Sequence, residues 1–166
     1  MRNRASLLAG FVAALGFRAL LTRLILLRLR RDLKRLNAGD YGPFLAAFAE
    51  DAVLRFNDGA HRWAGDHRGR AAIERFLKDF TSAGLQGEIR GLWAFGPPWA
   101  LTLLARFDDE AKAPDGELIY ANEVAIVART RWGRIVEQED FYRDSARIEA
   151  LERRLQELGV PAAEPV

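Results

Sequence analysis

The chain has 166 residues, 49% of them hydrophobic and 29% charged, with 14 Gly, 6 Pro and no cysteine. That is the composition of one ordinary globular domain, and it excludes a disordered chain, a collagen-like repeat and a multidomain enzyme. Without cysteine there is no disulfide, no thiolate zinc site and no cysteine nucleophile. The net charge of +2 hides an asymmetry: nine basic residues against Asp32 give residues 1–35 a charge of +8, so the rest of the chain sums to −6. A body that is acidic on balance is not built to track nucleic-acid phosphates, so no nucleic-acid partner is expected.

From Leu7 to Leu27 the chain is apolar except for Arg18, Thr22 and Arg23, and this length matches the roughly 20 residues that cross a bilayer as a helix. Two arginines oppose a deep span, each costing on the order of 2.5–3.5 kcal/mol near a helix centre. Three readings stand: a membrane or interfacial anchor touching lipid through residues 5–30, an extended first helix packed on its own domain or on a dimer partner, or the n- and h-regions of a signal peptide. The third lacks a small-x-small cleavage site, because Phe17-Arg18 interrupts the run. The chain divides at this stage into an apolar basic helix over 1–23, a domain over 24–159 and a tail over 160–166.

Leu26, Leu29, Leu33 and Leu36 extend the apolar segment as a helical stripe ending near Asn37-Ala38-Gly39-Asp40. Pro43 opens a short second helix carrying Phe44, Leu45 and Phe48. Residues 52–56 read as a strand, with 62–67 as its return partner. Ile73, Phe76, Leu77 and Phe80 mark an amphipathic helix ending before Gly84. Four antiparallel strands follow over 86–95, 99–107, 118–130 and 134–142, with a polar loop at 108–116. A last helix begins near Asp144 or Ser145, presents Ile148, Leu151, Leu155 and Leu158, and stops at Gly159 before Pro161.

Several short sequence words occur in a telling order: Leu36-Asn37-Ala38-Gly39-Asp40, Phe48-Ala49-Glu50-Asp51-Ala52-Val53, Arg68-Gly69-Arg70-Ala71-Ala72-Ile73, Gly96-Pro97-Pro98-Trp99, Tyr120-Ala121-Asn122-Glu123, and Trp132-Gly133-Arg134-Ile135-Val136-Glu137 leading to Asp144. Over residues 24–150 this resembles the nuclear transport factor 2-like superfamily, and within it the SnoaL-like branch. The resemblance implies an α+β fold, a cone-shaped curved antiparallel sheet packed with N-terminal helices around a pocket, here with an extra apolar N-terminal helix. A homodimer is expected, because the outer face of such a sheet would otherwise expose apolar groups such as Phe141 and many relatives bury that face; the expected location is cytoplasmic, or membrane-associated through the N-terminal helix.

Fold alone does not supply function, since the superfamily includes isomerases, polyketide cyclases, hydrolases and noncatalytic binding proteins. The tyrosine and aspartate of its ketosteroid isomerase relatives correspond here to Asp32 and Phe56, and their protonated acid to Val124 or Ala125, which disfavours that chemistry. The limonene epoxide hydrolase relatives imply an Asp–Arg–Asp set, matched by Arg106-Phe107-Asp108 and by Asp140, although their water-holding Tyr and Asn correspond to Leu54 and Phe56. His67, in Gly65-Asp66-His67-Arg68-Gly69, is the side chain most easily poised near neutrality. Alternation puts Val136, Gln138, Asp140 and Tyr142 on one face of the last strand and Ile135, Glu137, Glu139 and Phe141 on the other. On the preceding strand either Tyr120, Asn122 and Val124 or Ala121, Glu123 and Ala125 face inward.

The candidate catalytic residues are therefore Asp140, His67, Arg106 and Asp108. The candidate ligand-binding residues are Trp93, Trp99, Tyr120, Asn122, Glu123, Gln138 and Tyr142. No metal is expected, because His61 and His67 lack a third ligand at a recognisable spacing. The expected function is cofactor-free acid–base chemistry (isomerisation, cyclisation or hydrolysis) on an apolar small molecule. The alternative is a noncatalytic ligand-binding or dimerisation module held at a membrane.

Overall fold

The computed structural model describes residues 2–113 and 115–163, with the side chains of the first helix described from Gly16 onward. The elements are α1 (Arg2–Asn37), α2 (Gly42–Leu45), β1 (Phe48–Phe56), β2 (Gly65–Arg68), α3 (Arg70–Ser82), β3 (Leu85–Phe95), β4 (Thr102–Lys112), β5 (Leu118–Arg131), β6 (Arg134–Tyr142) and α4 (Ser145–Glu157). Six strands form one curved, unclosed sheet in the order β2-β1-β6-β5-β4-β3. All neighbours are antiparallel except β1 and β6.

Helix α1 runs unbroken for 36 residues, about 54 Å at 1.5 Å per residue. It ends where Gly39 takes a positive φ of 87°. There Asp40 N–H donates to the Arg35 carbonyl and Gly39 N–H to the Leu36 carbonyl, both at 2.9 Å, a Schellman stop. Asn37 then ties the helix to β3, donating to the Gly87 carbonyl at 2.9 Å and accepting from its N–H at 3.0 Å. A Cβ on Gly87 would lie 3.2 Å from the Asp109 carboxylate and 3.4 Å from Leu33, so glycine permits this close crossing. Among the described residues no helix is long and apolar enough to cross a membrane. The side chains of Leu7 to Leu15, most of the apolar run, lie outside the described residues.

The inner face of the sheet carries Leu54 and Phe56, Leu85 and Ile89, Ala105 and Phe107, and Tyr120 and Val124, all buried. Helix α3 packs Ile73, Phe76 and Leu77 against β1 and β2, and α4 adds Ile148, Leu151 and Leu155. The Asp144 carboxylate caps α4 by accepting from the N–H groups of Ala146 and Arg147.

Three expectations about elements are corrected. Phe48 opens β1 rather than closing α2, because it pairs with Ile135 at the β1–β6 crossing and is buried there. Residues 108–112 continue β4 instead of forming a loop. Pairing with β3 on one side and β5 on the other outweighs the poor strand propensity of Asp108-Asp109-Glu110. Ile135 faces inward, since an irregular register between Arg129 and Thr130 shifts the start of β6 by one residue.

Candidate functional site

Two hollows meet under α1. The larger, about 260 Å³, lies between α1 and the sheet and is walled by apolar side chains, among them Leu21, Ile25, Leu29, Leu103, Phe107 and Ile126. Its polar wall groups include Asp32, Gln138, Thr130 and Arg28. A second hollow of about 150 Å³ shares Leu21, Pro98 and Leu101 with the first and continues past Phe17, Arg18, Ala94 and Gly96. Asp32 is the lone acid in the inward stripe of α1; it is buried and pairs with Arg28 at 3.4 Å and Arg31 at 3.1 Å.

Behind the wall lies a buried polar row. Gln138, on the cavity wall, donates from Nε2 to Asp140 Oδ1 at 2.9 Å. Tyr142, two residues on and on the same face, donates its O–H to Asp109 Oδ2 at 2.7 Å. Asp140 and Asp109 are each only 6% exposed. Burial pushes the Asp140 carboxyl up to about 7, against the opposing Gln138 hydrogen bond and helped by the nearby charge of Asp109. Burial likewise raises Asp109 to about 7, against the opposing Tyr142 hydrogen bond. Tyr142 and Tyr120 are also raised by burial, and the two carboxylates further oppose ionisation of Tyr142. Two buried acids, each raised to about 7, therefore lie on this face, Asp109 held by Tyr142 and Asp140 by Gln138.

Asp140, Gln138 and Tyr142 occupy the inner face, and Tyr120 and Asn122 face inward on β5. Asn122 has a structural task, donating to the Asp144 carbonyl at 2.7 Å and so fixing the start of α4.

The other candidates are not brought to Asp140. Arg106 and Asp108 flank the inward Phe107 on the outer face, where Arg106 pairs with Glu123 at 3.5 Å and Asp108 with Arg90 at 2.6 Å. Glu123 is thereby also an outer-face group. A β-bulge between Ile89 and Gly91 reverses the side-chain parity of β3, turning Leu92 inward and Trp93 outward. Gly91 accommodates this, because a Cβ there would lie 2.7 Å from the Trp93 ring. Trp99 is exposed in the β3–β4 turn. His67 sits beneath α3, edge-on to Phe76, with Nε2 2.9 Å from the Trp63 carbonyl oxygen, and does not line the cavity. Asp32 and Asp109 are site residues that sequence reasoning did not select. Asp109 was visible in the alternation Ala105, Phe107, Asp109, Ala111, once β4 is carried past Phe107. Among the described residues, no three His, Asp or Glu side chains gather as metal ligands would.

Solved structures share this fold. Bal32a, from a soil-derived mobile gene cassette, superimposes with a TM-score of 0.61 at 20% identity, covering 80% of this chain and 96% of its own. A nuclear transport factor 2-like protein of unknown function from Burkholderia pseudomallei gives 0.61 at 21% identity, covering 76% and 95%. TerC, co-crystallised with polyporic acid, gives 0.61 at 16% identity, covering 76% and 97%. No curated protein matches the chain. The SnoaL-like domain family matches residues 29–138, from the last two turns of α1 through most of the cavity lining to Gln138 in β6, and the chain belongs to that family.

Proposed function

We propose that this protein binds an apolar small molecule in the α1–sheet cavity and performs acid–base chemistry on it with Asp140. One observation carries the reading: a mostly apolar cavity of about 260 Å³ has on its wall an amide, Gln138, that holds a buried carboxyl poised near 7. A general acid or base works best with a pKa near the working pH. A ligand carbonyl that takes over the Gln138 N–H would be polarised by it and would draw the amide aside from Asp140, opening the carboxylate behind it to an adjacent ligand proton. Isomerisation and cyclisation both begin with such a step. TerC, with polyporic acid as its co-crystallised partner, supports an apolar, oxygenated ligand class.

The test is a screen of apolar cyclic ketones and 1,3-diketones for deuterium uptake from D₂O, read by mass spectrometry. Exchange that a cavity ligand suppresses supports the reading, and a complete lack of exchange across the panel counts against it. Cavity occupancy is measured separately with the fluorescent lipophile N-phenyl-1-naphthylamine. Leu29→Trp adds a ring to the cavity wall, so it is expected to abolish probe fluorescence at a stability cost of about 1–3 kcal/mol or less.

A noncatalytic cavity is the second reading, favoured by a specific observation. Arg106, Asp108 and His67 do not converge on Asp140, and Asp140 meets the cavity only by way of Gln138.

The protein is also proposed to be a homodimer. The outer face carries an apolar cross-strand row, Trp93–Leu104–Val127, beside a second pair, Ala125–Phe141. The surrounding charges are already paired within the chain: Arg106 and Arg143 with Glu123, and Arg55 and Arg129 with Glu137. Such a patch can face a copy of itself across a two-fold axis. Phe141→Lys is expected to convert a dimer to a monomer in sedimentation velocity, and a wild-type monomer at micromolar concentration would refute the proposal.

A further inference from the structure

One end of the molecule gathers exposed aromatic and basic side chains. The β3–β4 and β5–β6 turns lie side by side there, joined by a hydrogen bond from Trp132 N–H to the Trp99 carbonyl at 2.8 Å. Trp132 is 79% exposed, Trp99 54% and Phe95 51%. Helix α1 passes the same turn, with Arg18 donating to the Ala94 carbonyl at 3.2 Å and Phe17, Leu20 and Leu24 open to solvent on one side of the helix. Arg131 and Arg134 flank the Trp132-Gly133 turn, Arg129 lies two residues before Arg131 on β5, and Arg23 is on α1 beside Leu24 in sequence. The nearby acids are already engaged, Asp51 by Arg131 and Glu137 by Arg55 and Arg129. At the far end of the same strands the acids Glu88, Asp108, Glu110 and Glu123 are all met by cations, from Arg90, Lys112, Arg106 and Arg143.

The smaller hollow opens at this end. Its lining runs from Phe17, Arg18, Ala94 and Gly96 to Leu21, Pro98 and Leu101, which also wall the main cavity. Exposed tryptophan rings amid arginines suit the interfacial layer of a bilayer, where ring bodies sit among acyl chains and cations meet anionic headgroups. A folded protein partner with a matching acidic apolar surface would also complement the charge. It would not account for a hollow beside Phe17 that shares Leu21, Pro98 and Leu101 with the ligand cavity.

We propose that this end docks peripherally on an anionic lipid bilayer, and that a lipophile passes from the bilayer through the channel along α1 into the cavity. The second half of the proposal rests on the reading of the cavity as a ligand site, whereas the docking half stands without it.

The experiment uses the full chain with vesicles of phosphatidylcholine, with or without phosphatidylglycerol. Wild type is expected to co-sediment with the vesicles containing phosphatidylglycerol and to be released by salt. The variant Trp99→Ser/Trp132→Ser alters two exposed side chains that do not line the cavity, and is expected to weaken vesicle binding about tenfold or more. Its uptake of N-phenyl-1-naphthylamine from water is expected to match wild type, while its uptake from preloaded phosphatidylglycerol vesicles slows. Leu29→Trp is expected to bind vesicles normally and take up no probe, so failure of the cavity and failure of docking read differently. Docking is overturned if wild type ignores anionic vesicles, if the double variant binds them equally well, or if the double variant alone turns a lipid-free dimer into a monomer in sedimentation. Equal transfer rates from vesicles for wild type and double variant overturn the channel.

Discussion

Asp140→Asn is expected to lower the rate of any deuterium exchange by about 10²- to 10⁴-fold, the usual contribution of a positioned acid or base. Affinity for N-phenyl-1-naphthylamine should not change, because Asp140 lies behind Gln138 and the amide keeps the shape of the carboxyl. The same substitution carries a stability signature independent of any substrate. With its native pKa near 7 and an unfolded value near 3.9, the native protein binds the Asp140 proton more tightly than the unfolded chain does. Stability from this group is full below about pH 4 and is lost as pH rises towards 7, by on the order of 4 kcal/mol over the whole interval. Asparagine has no such slope. The variant should therefore gain on wild type between pH 4 and pH 7, with the gap constant above, as measured by urea unfolding at each pH. Asp109 repels the same charge, so Asp109→Asn should flatten part of the wild-type slope and lower the pH at which Asp140 loses its proton. A variant gap that stays constant across this range would show that Asp140 is not held as a neutral acid.

The parts of this site that were legible in the sequence are those governed by strict alternation. Gln138, Asp140 and Tyr142 fall on one face because β6 is regular beyond its first residues. Tyr120 and Asn122 share a face, but choosing which face required knowing what packs over β5. The errors have a common origin in interruptions of period two. The bulge at Arg90 turned Trp93 outward, and the shift at the start of β6 brought Ile135 in. Neither leaves a sequence mark beyond a single glycine, Gly91. Ending β4 at Phe107 concealed Asp109 for a different reason. The acidic run has poor strand propensity, and only pairing on both sides keeps it extended. Asp32 was visible as the one acid in a leucine stripe, but its place on a cavity wall depends on how α1 crosses the sheet at Gly87, a tertiary fact.

Arg62 is expected to be the most sensitive ionic position away from the cavity, with Arg62→Met costing about 3–5 kcal/mol, the usual penalty for breaking a buried ion pair from one side. Its side chain is 4% exposed and reaches Glu152 through two nitrogens, at 2.8 and 3.2 Å. The remaining donors hold the chain end, binding the carbonyls of Pro161 at 2.9 Å and Val160 at 3.0 Å. Asp79, 4.0 Å from Arg62, secures the same tail by accepting from Ala163 N–H at 2.7 Å. One guanidinium thus joins the β1–β2 connection, α3, α4 and the C-terminal tail. Burial raises Glu152 towards the neutral form, but hydrogen bonds from Arg62 outweigh it and hold the carboxyl below its ordinary value. Removing the cation leaves two buried carboxylates, Glu152 and Asp79, with little compensation. The native pKa of Glu152 should then rise above its unfolded value and that of Asp79, already raised by burial, should rise further, so the lost stability should return in part as pH falls from 8 towards 5, the opposite of acid denaturation. Pairing Arg62→Met with Glu152→Gln removes the stranded charge and should recover more than half of the loss in a urea-unfolding cycle. If the double variant is as unstable as the sum of its single changes, the arginine acts by packing over Trp63, 5.7 Å from its ring centre, rather than by pairing.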